Sequence, residues 1–395
     1  MPEPLTSEDA KLLLDLCRAG KLYEVERWIS SGKSICPLCG LKRTPLFVAI
    51  ELGFHSLVEL LVRNEGSQEQ KNKALHHAVS KRRIDLVRLL VGHGAEVSSV
   101  PLVDVLLGWD PAMIRFFLEN GADVVTGSPF AVAFGEKIRT CLRPFVEFKQ
   151  AHPELAAELQ EQADRALRHF AYQGDLKWIS LLVWAGADPR TSGPTLDDRY
   201  ENDPECHTTA LQEACHKGNL EVLVKLRPDR SRDDLSELLR CAALATSKEI
   251  IQYLLQLGAD PNDKANGGSS ALDRCLWHLG FEDFESIRSR RLVSKYSVRG
   301  TLERIQDLLS HGARWRPDDR SQLNSVRQTL YKCEPVVTVE LVKLFARHKA
   351  CPEETLEQLL DIPRMREHLS RLGMNLCTRS GNKVRQPYRN TSRQT

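Results

Sequence analysis

Cys36 and Cys39, in the run Cys36-Pro37-Leu38-Cys39-Gly40, have the spacing with which two thiolates can share one tetrahedral metal. A structural zinc needs two further ligands, and no second Cys-x-x-Cys occurs; Cys17 and His55 are the conceivable partners from neighbouring segments. A redox pair would need a strand–helix–strand setting, which the surrounding sequence lacks. A metal-free loop is therefore expected. Gly32-Lys33-Ser34 echoes the end of a phosphate-binding loop, yet Arg27 stands where that loop needs its first glycine, and helix rather than strand precedes it. Cys206-His207 and Cys215-His216 read as core or surface residues rather than as a ligand cluster. Neither a Gly-x-Ser-x-Gly elbow, a His-Glu-x-x-His pair nor a Gly-x-Gly-x-x-Gly loop is present. Carboxylates are spread over helix faces instead of being paired. The expectation is a chain that is not an enzyme, with no catalytic residue, bound metal or cofactor.

What the sequence offers instead is a recurring frame. Gly94-Ala95-Glu96, Gly121-Ala122-Asp123, Gly186-Ala187-Asp188, Gly258-Ala259-Asp260 and Gly312-Ala313 return at intervals that fit a unit of about thirty residues. Each is preceded by the same helical pattern. In Thr44 to Leu61, Thr44 can cap a helix, Pro45 suits the first helical position, and Leu46, Ala49 and Ile50 form one apolar face. Gly53 ends that helix, and Leu57, Val58, Leu60 and Leu61 form the stripe of a second. The unit is helix, tight turn, helix, loop. Lys73 to Leu90, Pro101 to Phe117, Ala166 to Leu182, Thr209 to Leu226 and Cys241 to Leu255 repeat it, Ser128-Pro129-Phe130 opens a weaker copy, and Thr329-Leu330 opens a late one. A two-helix unit of this size cannot bury both stripes alone, so its stability must come from stacking on neighbours.

These units resemble ankyrin repeats. The family's opening Thr-Pro-Leu-His is matched best by Thr44-Pro45-Leu46-Phe47 and Lys73-Ala74-Leu75-His76, and its closing signal by Gly258-Ala259-Asp260-Pro261-Asn262. Arg82, Thr246 and Pro335 stand at or near the family's mid-repeat glycine. The resemblance implies an all-α, ankyrin-type helix-turn-helix solenoid over residues 1–350, in about ten units. Capping helices are expected over 351–372, and a basic, disordered tail over 373–395. It also implies a protein-protein interaction scaffold or adaptor, whose concave helices and finger loops hold a macromolecular partner.

Departures from the period locate the expected contacts, because insertions in a solenoid map to loops on one face. Residues 31–43 form a long first finger. Residues 190–207 form a second, in which Asp197, Asp198 and Tyr200 are the expected partner-binding residues. The third departure, near 278–300, separates Ser270-Ala271-Leu272 from a second helix read as Leu302 to Leu309. Its segment 286–299 carries five basic residues and no acid, and Arg288, Arg290, Arg291 and Lys295 are expected to meet an acidic surface. A nucleic-acid-binding solenoid that uses this segment and the tail is the alternative, to be separated by its salt dependence.

Composition bounds the partner. Lys+Arg of 55 against Asp+Glu of 53 gives +2, so no global field favours nucleic acid or membrane. The opening MPEPLTSEDAKLLLDL lacks the layout of an export signal, and no apolar run is long enough to span a bilayer. Eleven irregularly spaced cysteines fit a reducing compartment. A cytoplasmic monomer with a protein partner is the resulting expectation.

Overall fold

A computed structural model describes residues 7–35, 44–196, 207–245, 247–264, 268–279, 293–316, 323, 326–327 and 335–360. The chain divides into two compact units, Met1–Phe170 with Asp175–Ala210, and Ala171–Gly174 with Leu211–Thr395. Among the described residues there is no strand, only an isolated bridge between Gly193 and Thr208. The architecture is an all-α repeat solenoid.

In the first unit the helices come in pairs: α1 (Ser7–Arg18) and α2 (Leu22–Ser30), α3 (Pro45–Leu52) and α4 (His55–Arg63), α5 (Gln68–Ser80) and α6 (Ile84–Gly92), α7 (Leu102–Leu107) and α8 (Pro111–Glu119), α9 (Pro129–Gly135) and α10 (Leu142–Ala151), then α11 (Ala156–Gln173) and α12 (Leu176–Trp184). First helices stack in series, α1 on α3, α5, α7 and α9, while α2, α4 and α6 stack beside them. The stripes read from the sequence form the core: Leu57, Val58, Leu61 and Val62 of α4 are buried, as are Leu86, Val87 and Leu90 of α6. Each such side chain contributes about 1.5–3 kcal/mol through burial. The start of α3 follows its sequence: the Thr44 hydroxyl accepts from the Phe47 N–H at 3.2 Å, with Pro45 at the first helical position.

The turn between the paired helices needs one residue in the left-handed region. Gly53 supplies it with φ 74°. In three consecutive repeats a side chain does so instead: Arg82 at φ 55°, Trp109 at 63° and Lys137 at 61°. For such residues this conformation costs roughly 1–2 kcal/mol, because Cβ crowds the following carbonyl. Gly108 lies beside Trp109 but has φ −69°, so the glycine present does not relieve the strain.

Loop ends are tied to first helices in a fixed register. The Asn72 side chain of α5 accepts from the Glu96 N–H at 2.9 Å, and Gln68 donates to the Gly94 carbonyl at 2.8 Å. On α11, Asp164 accepts from the Asp188 N–H at 2.7 Å and Gln160 donates to the Gly186 carbonyl at 2.8 Å. In the second unit the Ser236 hydroxyl accepts from the Asp260 N–H at 3.0 Å. In all three repeats the side chain precedes the amide it binds by 24 residues.

The second unit holds α13 (Ala210–Lys217), α14 (Leu220–Leu226), α15 (Leu235–Ala242), α16 (Lys248–Gln256), α17 (residues 271–279) and α18 (Val293–Ser310), followed by helices Pro335–His348 and Glu353–Leu360. One boundary differs from the sequence reading. The second helix after α17 begins at Val293, not Leu302, so the last part of the expected insertion is helix. The reason is its apolar spacing: Val298, Leu302, Ile305 and Leu309 are all buried, extending one face upstream past Gly300. Lys248 of α16 pairs with Glu303 at 2.9 Å, and Gln252 donates to Asp307 at 3.0 Å.

Candidate functional site

The second finger departs from a base built by α11. Arg168 is fully buried there, and each arm of its guanidinium has a separate acceptor. Nε donates to the Pro194 carbonyl at 2.9 Å, Nη1 to the Thr191 carbonyl at 3.1 Å, and Nη2 to the Glu161 carboxylate. One turn away, Arg165 Nε donates to the Thr195 carbonyl at 2.9 Å. Gly193 is required by this approach, since a β-carbon there would lie 2.6 Å from Arg168 Nη2. Gly193 and Thr208 then exchange two backbone hydrogen bonds of 3.1 Å each, which closes the base on the returning chain.

Asp164 completes the clamp. Burial raises its carboxyl above the ordinary carboxylate value, and the hydrogen bonds from the Asp188 N–H and the Gln160 amide oppose that rise. The α11 helix itself is seated by an aromatic cluster, in which Phe170 stacks on Trp178 at 5.3 Å while Phe145 meets Phe130 and Phe134 edge-on at 5.0 and 5.2 Å. Among the described residues, the base fixes Thr191, Pro194 and Thr195 on one side and Thr208 on the other.

Asp197, Asp198 and Tyr200 lie outside the described residues, as do Cys36, Cys39, Arg288, Arg290, Arg291 and the tail 373–395. Lys295 falls near the start of α18. The described part of the first finger is held by Trp28, whose indole N–H donates to the Ser34 carbonyl at 3.2 Å, and by Lys33, which pairs with Asp9 at 3.1 Å. The Lys33 ammonium also sits 4.4 Å from the Trp28 ring centre. Cys215 is buried, where burial pushes its thiol well above the usual range, and His207 is exposed. Among the described residues no group of three His, Cys, Asp or Glu side chains is placed to hold a metal. Among them too, no helix is long and apolar enough to cross a membrane.

Sequence reasoning missed the clamp residues Gln160, Asp164, Arg165 and Arg168. A signal was available: Gln160 and Asp164 precede Gly186 and Asp188 by the same intervals that separate Gln68 and Asn72 from Gly94 and Glu96.

Comparison with known proteins agrees with this architecture. Residues 13–100 match the family model for ankyrin repeats, in three copies, which corresponds to the helix pairs α1–α2, α3–α4 and α5–α6. The chain is similar to the ankyrin repeat and KH domain-containing protein mask-1 of Caenorhabditis elegans, 25% identical over 288 residues, which cover 67% of this chain and 10% of that protein. It is 32% identical over 161 residues, 37% of this chain, to the ankyrin repeat and KH domain-containing protein CBG24701 of Caenorhabditis briggsae, of which they cover 6%. The chain thus spans a tenth or less of the length of these relatives. Among solved structures it is similar to the ankyrin repeat domain of Bcl-3, a member of the IkappaB protein family (17% identity, TM-score 0.32, covering 66% of this chain and 91% of that one). It is also similar to the human ASB11 ankyrin repeat domain, with 15% identity and TM-score 0.30, covering 66% of this chain and 90% of that one.

Proposed function

We propose that this chain, which belongs to the ankyrin-repeat proteins, is a non-enzymatic scaffold or adaptor that binds a protein partner through its second finger and the adjacent helices. Ankyrin repeats are general protein-protein interaction modules. The observation that carries the reading is the clamped base of the finger. Arg168 and Arg165 hold residues 191–195, and the Gly193–Thr208 pair closes the returning chain. In the sequence, residues 191–195 are followed by an acidic segment with a tyrosine, Asp197-Asp198-Arg199-Tyr200-Glu201. Fixing the ends of a binding segment before association lowers the ordering cost that binding must overcome. In the proposal Asp197, Asp198 and Tyr200 contact the partner, and the basic set Arg288, Arg290, Arg291 and Lys295 meets an acidic surface. The solenoid over 1–350, with caps over 351–372 and a basic tail over 373–395, works as a cytoplasmic monomer without a cofactor.

A photo-crosslinking amino acid placed at position 200 of the full chain, in its native cells, tests this reading. The expected result is a specific protein adduct that disappears when Asp197 and Asp198 are changed to Asn. Adducts to nucleic acid, or a protein adduct indifferent to those changes, would overturn it.

A further inference from the structure

The geometry points to a second docking surface, on the edge formed by the inter-helix turns of the second, third and fourth repeats, that takes an acidic segment of a partner protein carrying an apolar side chain beside its carboxylate. It goes beyond the finger reading and involves none of the finger residues.

Two side chains on this edge occupy a backbone conformation that favours glycine. Each turn needs one left-handed residue, and glycine adopts that region freely. In adjacent repeats the position is held by Arg82 and Trp109, at φ 55° and 63°. Both are exposed, Trp109 by 55%, so the packed core does not require either. Backbone strain maintained on an exposed surface, without a packing role, is the pattern of residues kept for contact. Arg and Trp are also the residue types that most often dominate interfaces.

The neighbours fix the chemistry of the occupant. Leu107, beside Trp109, is 39% exposed; on the other side of Arg82, the turn of the second repeat exposes Leu52 by 48% and Phe54 by 37%. A cationic step therefore lies between two apolar ones, on repeats joined by the packing of α3, α5 and α7. The acids along this edge are engaged. Arg83 holds Asp85 through two hydrogen bonds of 2.9 and 2.6 Å, Asp110 caps α8, and Asp104 meets His76 at 2.9 Å. Glu51 lies 3.9 Å from Lys81 and 3.6 Å from His77. Arg82 makes no ion pair among the described residues, so its guanidinium is an open charge on this surface. An acidic ligand supplies the missing carboxylate, and an apolar side chain next to it covers the Trp109 indole.

The test uses glycine, because glycine removes the side chains and relieves the turns together. Random peptides displayed on phage are selected on the full-length protein. Survivors are then measured against wild type, the double variant Arg82→Gly/Trp109→Gly, and the single variant Arg82→Glu. The expected survivors combine Asp or Glu with an aromatic or aliphatic residue. They bind the double variant about tenfold or more weakly, the scale of losing a hot-spot contact. The double variant melts at or above the wild-type temperature, so lost binding does not reflect lost folding. Arg82→Glu weakens the same peptides further at low salt. An absence of selected peptides, survivors poor in acids, or survivors that bind all three proteins alike would overturn the proposal.

Discussion

Lys137 Nζ donates to Asp175 Oδ2 at 2.7 Å, joining the turn of one repeat to the turn of the next. Elsewhere the same relationship is made by a glycine and the residue that covers it. A β-carbon on Gly20 would meet the Phe54 ring at 3.0 Å, one on Gly174 the Asn219 amide at 3.3 Å, and one on Gly218 the Ser247 side chain at 3.2 Å. Where Lys137 replaces the glycine, the covering residue is a carboxylate. Asp175 has a second duty, accepting from the Trp178 N–H at 3.1 Å as the cap of α12. Replacing Asp175 with Ala removes the cap and the ion pair and should cost about 1–2 kcal/mol, mostly through the cap. Asp175→Asn, which can still cap, should cost less than half as much in chemical denaturation.

The left-handed turns yield a pair of opposite outcomes. Arg82→Gly should stabilise the protein by about 0.5–1 kcal/mol, the relief of strain less the extra chain entropy that glycine loses on folding. Gly53→Ala should destabilise it by about 1–2 kcal/mol, because φ 74° is costly for alanine and its β-carbon would lie 2.5 Å from Arg83 Nη1. Equilibrium unfolding in urea checks both, with unchanged slopes expected.

Arg168→Ala should cost about 3 kcal/mol, since it strands the Thr191 and Pro194 carbonyls and the Glu161 carboxylate. Arg168→Lys should not restore the loss, because one ammonium cannot reach acceptors arranged around a planar fork. Hydrogen exchange should show amide protection in 188–196 falling in both variants while that of α3 and α5 stays unchanged.

Acid titration isolates the Arg83–Asp85 pair. The hydrogen bond from Arg83 holds the Asp85 carboxyl down at about 2. A depressed carboxyl stabilises the fold above its unfolded pKa of ~3.9, and that contribution is lost as pH falls through the folded value. Stability contributed by this pair is therefore complete at neutral pH and declines between roughly pH 4 and 2. The pair is solvent-exposed, so Asp85→Asn should change stability by at most about 1 kcal/mol at pH 7 and flatten the acid limb of the melting profile.

Local signals made much of the architecture legible. Thr44, Pro45 and Gly53 mark the two ends of α3 where the structure places them, because capping and turn chemistry act within a few residues. Trp109 was harder to foresee. Gly108 is the residue a reader would assign to the left-handed position, yet the register of α7 gives it to its neighbour. The repeat period starts the helix at Leu302, whereas Val298 lies on the buried face of α18, which begins at Val293. Arg168 was invisible as a clamp, since sequence does not reveal that three acceptors from residues 161–194 converge on one guanidinium.

The partner's affinity for the full-length protein, measured by calorimetry with wild type and with the Asp197→Asn/Asp198→Asn/Tyr200→Ala variant, decides whether the second finger carries the binding. The partner is the protein captured by crosslinking at position 200. The triple change is expected to weaken binding by about a hundredfold, the scale of losing two hot-spot contacts, while the melting temperature stays within experimental error. Equal affinity for the two proteins would rule out the finger as the binding element.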